Sequence, residues 1–186
     1  MKRLSQWLYR ISTGVVALVF TGIFLSFSLL ALPPQAQQAQ RNANGGKSPD
    51  TTFLYSPADL YRMADRHGAA GRAGYIRARF TFDLVFPLVY GAFLVAALSW
   101  LLGGLIPPSS RWRLLNLAPL AGVLFDFLEN TAASLVMLRY PAETPLAALA
   151  APVFTFIKWL FVAGSFLLLI ASALLRAWKA LNKKSI

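Results

Sequence analysis

The chain contains no cysteine and one histidine, His67, in its 186 residues. The absence of cysteine excludes disulfides, thiolate nucleophiles and thiolate metal sites, and a single histidine cannot form a multi-histidine site. The sequence also lacks a P-loop, a dinucleotide-binding glycine pattern, a CxxC pair and the serine elbow of hydrolases. We therefore expect neither a metal nor a cofactor, and we interpret His67 as a helix-surface residue.

Acidic residues are scarce, with seven against 18 Lys and Arg, so the formal net charge is +11. Such an excess of bases can indicate nucleic-acid binding. Here many bases lie beside the ends of apolar runs, where anionic lipid headgroups and membrane orientation explain them. Those near the two termini are Lys2, Arg3, Arg10, Arg176, Lys179, Lys183 and Lys184. We therefore expect membrane lipids as partners and no nucleic acid.

Long apolar runs are what the sequence has in excess. Hydrophobic residues make up 57% of the chain, and they concentrate in the runs 11–32, 80–102, 114–138 and 152–175. A hydrocarbon core of roughly 30 Å requires about 20 residues of helix, and each run reaches that length. The last three runs have no polar face wide enough for water, which argues against a soluble bundle. The pattern predicts an all-α integral membrane protein, a bundle of four transmembrane helices.

The first run has a competing interpretation as a cleavable signal peptide. The apolar region of a signal peptide spans roughly 7–15 residues and ends in a pair of small residues. This run has 22 residues and ends in Leu-Pro-Pro. We therefore expect residues 1–32 to form a basic N-terminus and a retained first span, with cleavage as the alternative. Residues 176–186 are expected to form a basic tail.

Two segments of different character separate the first and second spans. Residues 33–55 are rich in Gln, Asn, Gly and Pro, which predicts a flexible linker. Ser56, Pro57 and Asp59 then form a helix start of the capping-box type. We expect 56–79 to contain a short amphipathic helix, ending near Gly68, that lies on the membrane surface and leads into the second span. A cap over the mouth of the bundle is the alternative.

The third span contains the most unusual stretch of the chain, with Asp126, Glu129 and Asn130 near its middle. Their spacing of i, i+3 and i+4 places them on one helix face, and Ser134 extends that face by a turn. Charged groups at such a depth are costly and usually serve a function. These residues are therefore candidates for a ligand-binding pocket.

The second and fourth spans supply further candidates at a similar depth. Asp83 lies one turn before Pro87, which frees the backbone carbonyl of residue 83, and Tyr90 lies on the same face. Lys158 lies within the first two turns of the fourth span. We expect these groups to converge with the acids of the third span near one mouth of the bundle.

Two arginines at the rim of the predicted bundle are candidates for support of this site. Arg79 and Arg139 lie close to the ends of the second and third spans, from which their side chains can reach inward. An ordinary pairing of Arg79 with Asp83 near the interface is the simpler interpretation. Mg²⁺ or Ca²⁺ binding by the carboxylates is opposed by Lys158.

Three functions fit these features. The first is an intramembrane polar pocket that binds, and in one version processes, a lipid, a sterol-like molecule or an aromatic amine. Whether the protein is an enzyme is left open; the catalytic activity that the residues favour most is general acid–base catalysis by Glu129 or Asp126. The second is a subunit of a proton- or ion-coupled carrier. The third is an accessory or structural subunit that pairs with itself or with another membrane protein.

Orientation follows from the bases closest to the ends of the spans. Placing both termini and the 103–113 turn in the cytoplasm puts three basic clusters on one side of the membrane. We therefore expect a multi-pass protein of the cell or inner membrane with both termini in the cytoplasm.

Overall fold

The computed structural model describes residues 1–182 and is 84% helical, with no strand among those residues. Its α-helices are α1 (Lys2–Ile11), α2 (Gly14–Leu30), α3 (Leu32–Asn42), α4 (Pro57–Arg79), α5 (Phe82–Gly103), α6 (Ala118–Arg139) and α7 (Pro145–Asn182). Three helical stretches are long and apolar enough to cross a membrane, or four if α1 and α2 count as one bent span. This confirms the all-α class. The last residues of the predicted basic tail, 183–186, lie outside the described residues.

The predicted first span is bent at its start. α1 and α2 meet at 91°, and the break falls at two hydroxyl residues, Ser12 and Thr13. The side chain of Thr13 accepts a hydrogen bond from the backbone N–H of Val16, as hydroxyl residues do at helix N-termini. The straight apolar helix therefore begins at Gly14 rather than at residue 11, and its 17 residues measure about 25 Å.

A buried polar cluster fixes α1 to the rest of the protein. Ser5 donates a hydrogen bond to Asn116 Oδ1 over 2.7 Å, and Asn116 Nδ2 donates to Ser99 Oγ over 3.0 Å. Nearby, the Tyr9 hydroxyl donates to the carbonyl of Arg113 over 2.8 Å. Because Ser5, Asn116 and Ser99 satisfy one another, this cluster can hold α1 against α5 and the segment before α6.

The segment predicted as a flexible linker, 33–55, is largely structured. It contains α3 and a short 3₁₀ helix, Pro49–Thr51. Proline is compatible with the first turn of a helix, where its missing N–H has no partner to lose, and the Gln and Ala residues that follow are good helix formers. Asn42 and Ala43, at the end of α3, are buried against α4.

The predicted amphipathic helix is present as α4, and its capping box forms. Ser56 Oγ accepts from the Asp59 N–H at 3.2 Å, and Asp59 Oδ2 accepts from the Ser56 N–H at 2.8 Å. Gly68 interrupts the helix with φ 62°, but the helix resumes and continues to Arg79. His67, expected on the surface, is instead buried, and its Nδ1 lies 2.7 Å from the carbonyl oxygen of Met63.

The apolar face of α4 is covered by protein. Leu60, Met63 and Ala64 pack against Ala133 and Val136 of α6 and against the start of α7. Burial of this face stabilises α4 on α6 and α7, because apolar side chains gain roughly 25 cal/mol per Å² removed from water. α4 therefore forms a cap on α6 and α7.

The main body of the fold consists of α5, α6 and α7. Gly91 of α5 lies against Val123 of α6, and Gly122 of α6 lies against Val162 of α7. Small residues at these positions let the helix backbones approach closely, as is common between transmembrane helices. The second and third predicted spans correspond to α5 and α6.

The fourth predicted span, 152–175, is the central part of a longer helix. α7 begins at Pro145 and has 38 residues, about 57 Å at 1.5 Å per residue. Its first two turns, which were expected to belong to a turn, are helical because Ala148 and Ala151 are buried in the cap. The turn after α6 is therefore much shorter than predicted.

Candidate functional site

A cavity of about 960 Å³ lies between α2 and α3 on one side and α5, α6 and α7 on the other. The segment 46–54, which we call the roof, contributes a further part of its wall. Aromatic side chains form much of the apolar surface: Phe24, Phe53, Phe82, Phe86, Trp159 and Phe166. Since the same cavity is also lined by charged residues, it has an apolar body and a polar region.

An ion pair between α6 and α7 lies at the polar region. Lys158 Nζ lies 2.5 Å from Glu129 Oε2 and 3.9 Å from Asp126 Oδ1. Glu129 has no exposed surface and does not line the cavity, whereas Lys158 and Asp126 do. Lys158 therefore separates Glu129 from the cavity and is shared between two carboxylates.

Asp126 is held by neutral hydrogen-bond donors from two helices. The Tyr90 hydroxyl of α5 donates to Asp126 Oδ2 over 2.8 Å. Asn130 Nδ2, one turn further along α6, donates to Asp126 Oδ1 over 3.3 Å. These contacts orient the carboxylate, and because neither donor is charged, they leave most of its negative charge to be balanced by other groups.

A second ion-pair group joins the roof to the start of α5. Arg79 Nη2 lies 2.9 Å from Asp83 Oδ2 and 3.2 Å from Asp50 Oδ2, and the guanidinium also stacks over the ring of Tyr75, 4.7 Å from its centroid. The side chain of Arg79 is 5% exposed. The guanidinium thus connects three elements: the roof, the end of α4 and the first turn of α5.

Asp50 stands outside the apolar helices, in the 3₁₀ turn of the roof. Burial opposes ionisation of its carboxyl, but the Arg79 guanidinium and the hydroxyl of Ser48 outweigh that effect and hold the pKa of Asp50 below its ordinary value. Asp50 is therefore ionised at neutral pH and supports the attachment of the roof.

Several of the residues singled out from the sequence are brought together. Asp83, Tyr90, Asp126 and Lys158 line one cavity, and Glu129 is paired with Lys158 behind its wall. Asn130 is buried beside Asp126, and Pro87 is buried within α5. The simpler interpretation of Asp83, an ion pair with Arg79, is also present.

Two of the predicted supporting residues are not part of this arrangement. Ser134 is buried but does not line the cavity, and its hydroxyl forms no hydrogen bond to the cluster. Arg139 is exposed at the end of α6, ten residues or about 15 Å beyond Glu129, and forms no ion pair within residues 1–182. The expectation that Arg139 reaches inward is therefore wrong, because its helix position directs it past the cluster.

Sequence reasoning missed the roof and its acid, Asp50. The polar composition of 33–55 obscured the fact that this segment carries one of only seven acids in the chain. A usable signal was present in Ser48, Pro49 and Asp50, a sequence that favours a short helical turn. Among residues 1–182, no group of three or more His, Asp or Glu side chains is placed to hold a metal ion.

The chain matches no family model, and neither a curated protein nor a solved structure matches it significantly.

Proposed function

We propose that this protein is a small multi-pass membrane protein that binds an amphiphilic, lipid-like molecule in the cavity. The observation that carries the proposal is one continuous space of about 960 Å³ with aromatic walls and an ionisable cluster at one region. Ligand sites of 300–1,000 Å³ with mostly apolar walls and a few polar groups are typical of small-molecule binding. The tail of an amphiphile matches the aromatic wall, and its head matches Tyr90, Asp126 and Lys158.

The arrangement in the membrane is part of this proposal. α2, α5, α6 and α7 act as four spans, with both termini in the cytoplasm and the roof and α4 on the opposite side. Bases next to the span ends at the termini and in the turn after α5 support this orientation. Since the cavity then lies partly at hydrocarbon depth, its ligand arrives from the lipid phase.

The buried interior beyond the cluster supports binding over transport. On α5, the buried side chains that follow Tyr90 are mainly apolar and include Phe93, Leu94, Ala97 and Leu98. A proton or ion carrier requires polar groups that continue toward the other side of the membrane. If the bound molecule is also processed, Asp126 is the better candidate for acid–base work, because Glu129 is sealed behind Lys158.

The proposal is tested by filling the cavity. Ser28 and Ser26 lie on the same helix, but Ser28 lines the cavity and Ser26 is exposed. Wild type, Ser28→Trp and Ser26→Trp are purified in nanodiscs, and co-purifying small molecules are identified by native mass spectrometry. We expect a defined amphiphile in wild type and Ser26→Trp and its loss from Ser28→Trp. Equal retention in all three, or no bound species in wild type, contradicts the proposal.

A further inference from the structure

The charges around the cavity determine which kind of head group it favours. We propose that the ligand is a cationic amphiphile, with a protonated or quaternary amine attached to an apolar body. This inference rests on the proposed function and adds the chemical class of the ligand to it.

The buried cluster carries more negative than positive groups. Four carboxyls, Asp50, Asp83, Asp126 and Glu129, surround two buried cations, Arg79 and Lys158. Each cation is shared between two carboxylates, so the ionised cluster has an excess of two negative charges. Such an excess is costly in a low-dielectric site, and a bound cation relieves it.

One further cation lines the cavity and must be counted. Lys47 lies in the roof and is exposed, so water screens its charge and little of it reaches the buried cluster. Even with Lys47 included, the carboxyls outnumber the cations. An anionic head group would increase the imbalance, whereas an ammonium group would reduce it.

Asp126 is the carboxylate with the least charge compensation in the cavity wall. Its hydrogen-bond donors, Tyr90 and Asn130, are neutral, and Lys158 is 3.9 Å away and engaged more closely by Glu129. By contrast, Asp83 has the Arg79 guanidinium at 2.9 Å. We therefore place the ligand's ammonium group beside Asp126.

Aromatic rings near Asp126 suit the same head group. Tyr90, which bonds to Asp126, packs edge-on against Phe86 with ring centroids 5.6 Å apart, and Phe24 and Phe166 line the same cavity. Aromatic faces attract desolvated ammonium groups electrostatically. The aromatic wall can therefore pack against the apolar body of the ligand and also attract its ammonium group.

The test uses amphiphiles that share a dodecyl chain and differ in the head: dodecyltrimethylammonium, dodecanol, dodecanoate and dodecylphosphocholine. Binding to wild-type protein in nanodiscs is measured by native mass spectrometry. The same measurement on Ser28→Trp, in which the cavity is filled, gives the amount of amphiphile that binds outside the cavity. We expect the ammonium compound to bind about tenfold or more tightly than the other three, in keeping with one ion-pair contact to a desolvated carboxylate.

Two isosteric variants locate the recognition. Asp126→Asn should reduce the preference for ammonium by about tenfold, because it removes the negative charge beside the head group. Glu143→Gln removes an acid that is exposed and does not line the cavity, and should leave the preference unchanged. If Asp126→Asn does not fold, as judged by thermal melting, the four-ligand series in wild type decides the question alone.

The outcomes separate this inference from the proposed function. If dodecanol or dodecanoate binds as tightly as the ammonium compound, and Ser28→Trp abolishes that binding, the cavity is a ligand site but its preference is not cationic. If Ser28→Trp changes the binding of none of the four, both the inference and the proposed function are wrong.

Discussion

The ion pair between Lys158 and Glu129 is buried, with side chains that are 7% and 0% exposed. Removing two charges from water is costly, and the attraction between them offsets that cost only while both are present. Removal of one charged partner should therefore lower the free energy of unfolding more than removal of both, and this difference can be measured.

Replacement of Lys158 by Met should lower the free energy of unfolding by about 3 kcal/mol, because it leaves Glu129 as an uncompensated buried charge. Unfolding is followed by circular dichroism in mixed micelles. The double variant Glu129→Gln with Lys158→Met should recover most of the loss, and Lys47→Met, at an exposed lysine, should change little. A double variant that is no more stable than Lys158→Met would contradict this account.

The Asp50–Arg79 contact should depend on pH. The pKa of Asp50 is lowered in the folded protein from its ordinary 3.8, so its stabilising effect is complete above that value and disappears as pH falls below it. We expect Asp50→Asn to cost about 1.5 kcal/mol at pH 7 and at pH 5. Thermal melting of both proteins measures the difference, which should shrink toward pH 3; a difference that vanishes already at pH 5 would be inconsistent.

At the level of single residues, the site residues that could be predicted from the sequence are those whose charge is costly to place in an apolar helix. Asp126, Glu129 and Lys158 stand out because charges within apolar runs are rare. Asp50 does not stand out, because an acid in a polar segment has no such cost until the chain folds around it. Arg139 was misassigned because its position at the end of α6, about 15 Å beyond Glu129, directs its side chain past the cluster.

Among the elements, α3 depends on a close approach to α4. A Cβ atom at Gly71 would collide with the backbone carbonyl oxygen of Asn42, and one at Gly74 would lie 2.5 Å from Asn42 Oδ1. Because Asn42 ends α3 and precedes the roof, this contact positions the roof over the cavity.

Gly71→Ala should therefore displace the end of α3 and cost about 1–3 kcal/mol of stability, the usual range for overpacking. Hydrogen exchange of residues 36–52 should rise more than that of α6. Gly164→Ala provides the matched control, since no atom lies within 4 Å of a Cβ there, and it should be neutral or slightly stabilising. Unchanged exchange in the Gly71 variant would show that α3 does not depend on this contact.

Element boundaries were predictable where apolar length or a capping box defined them, as at the start of α4 and in α5 and α6. They were not where tertiary packing decides. The first turns of α7, for example, are helical because α4 buries Ala148 and Ala151, which local propensity alone does not predict. α3 was missed for another reason: the polar composition of its segment favoured a linker, although the Gln and Ala residues after its two prolines are good helix formers.

The whole molecule has an uneven distribution of charge. Near α1, the Arg111–Leu117 turn and the end of α7 there are bases but no acids among the described residues. Tyr9 contacts Arg113, and Arg176 Nη1 donates to the carbonyl of Trp100 over 2.7 Å, so these segments share one end of the protein. Anionic headgroups are expected to face that end.

This asymmetry predicts the topology, and a chain without cysteine is well suited to test it. Single cysteines are introduced at the exposed positions Arg41, Ser109, Glu143 and Lys179. A membrane-impermeant maleimide applied to intact cells should label positions 41 and 143, and label 109 and 179 only after permeabilisation. Labelling of 41 and 109 from the same side would be incompatible with the proposed arrangement of spans.

Photolabelling tests directly whether the cavity holds an amphiphile. A dodecyl amine with a diazirine near the end of its chain is activated in nanodiscs, and the adducts are mapped by peptide mass spectrometry. We predict adducts on Phe24, Phe86 or Phe166 that disappear with excess unlabelled dodecyltrimethylammonium and in Ser28→Trp. Adducts confined to outward-facing residues such as Leu149 and Leu160, and insensitive to competitor, would contradict amphiphile binding in the cavity.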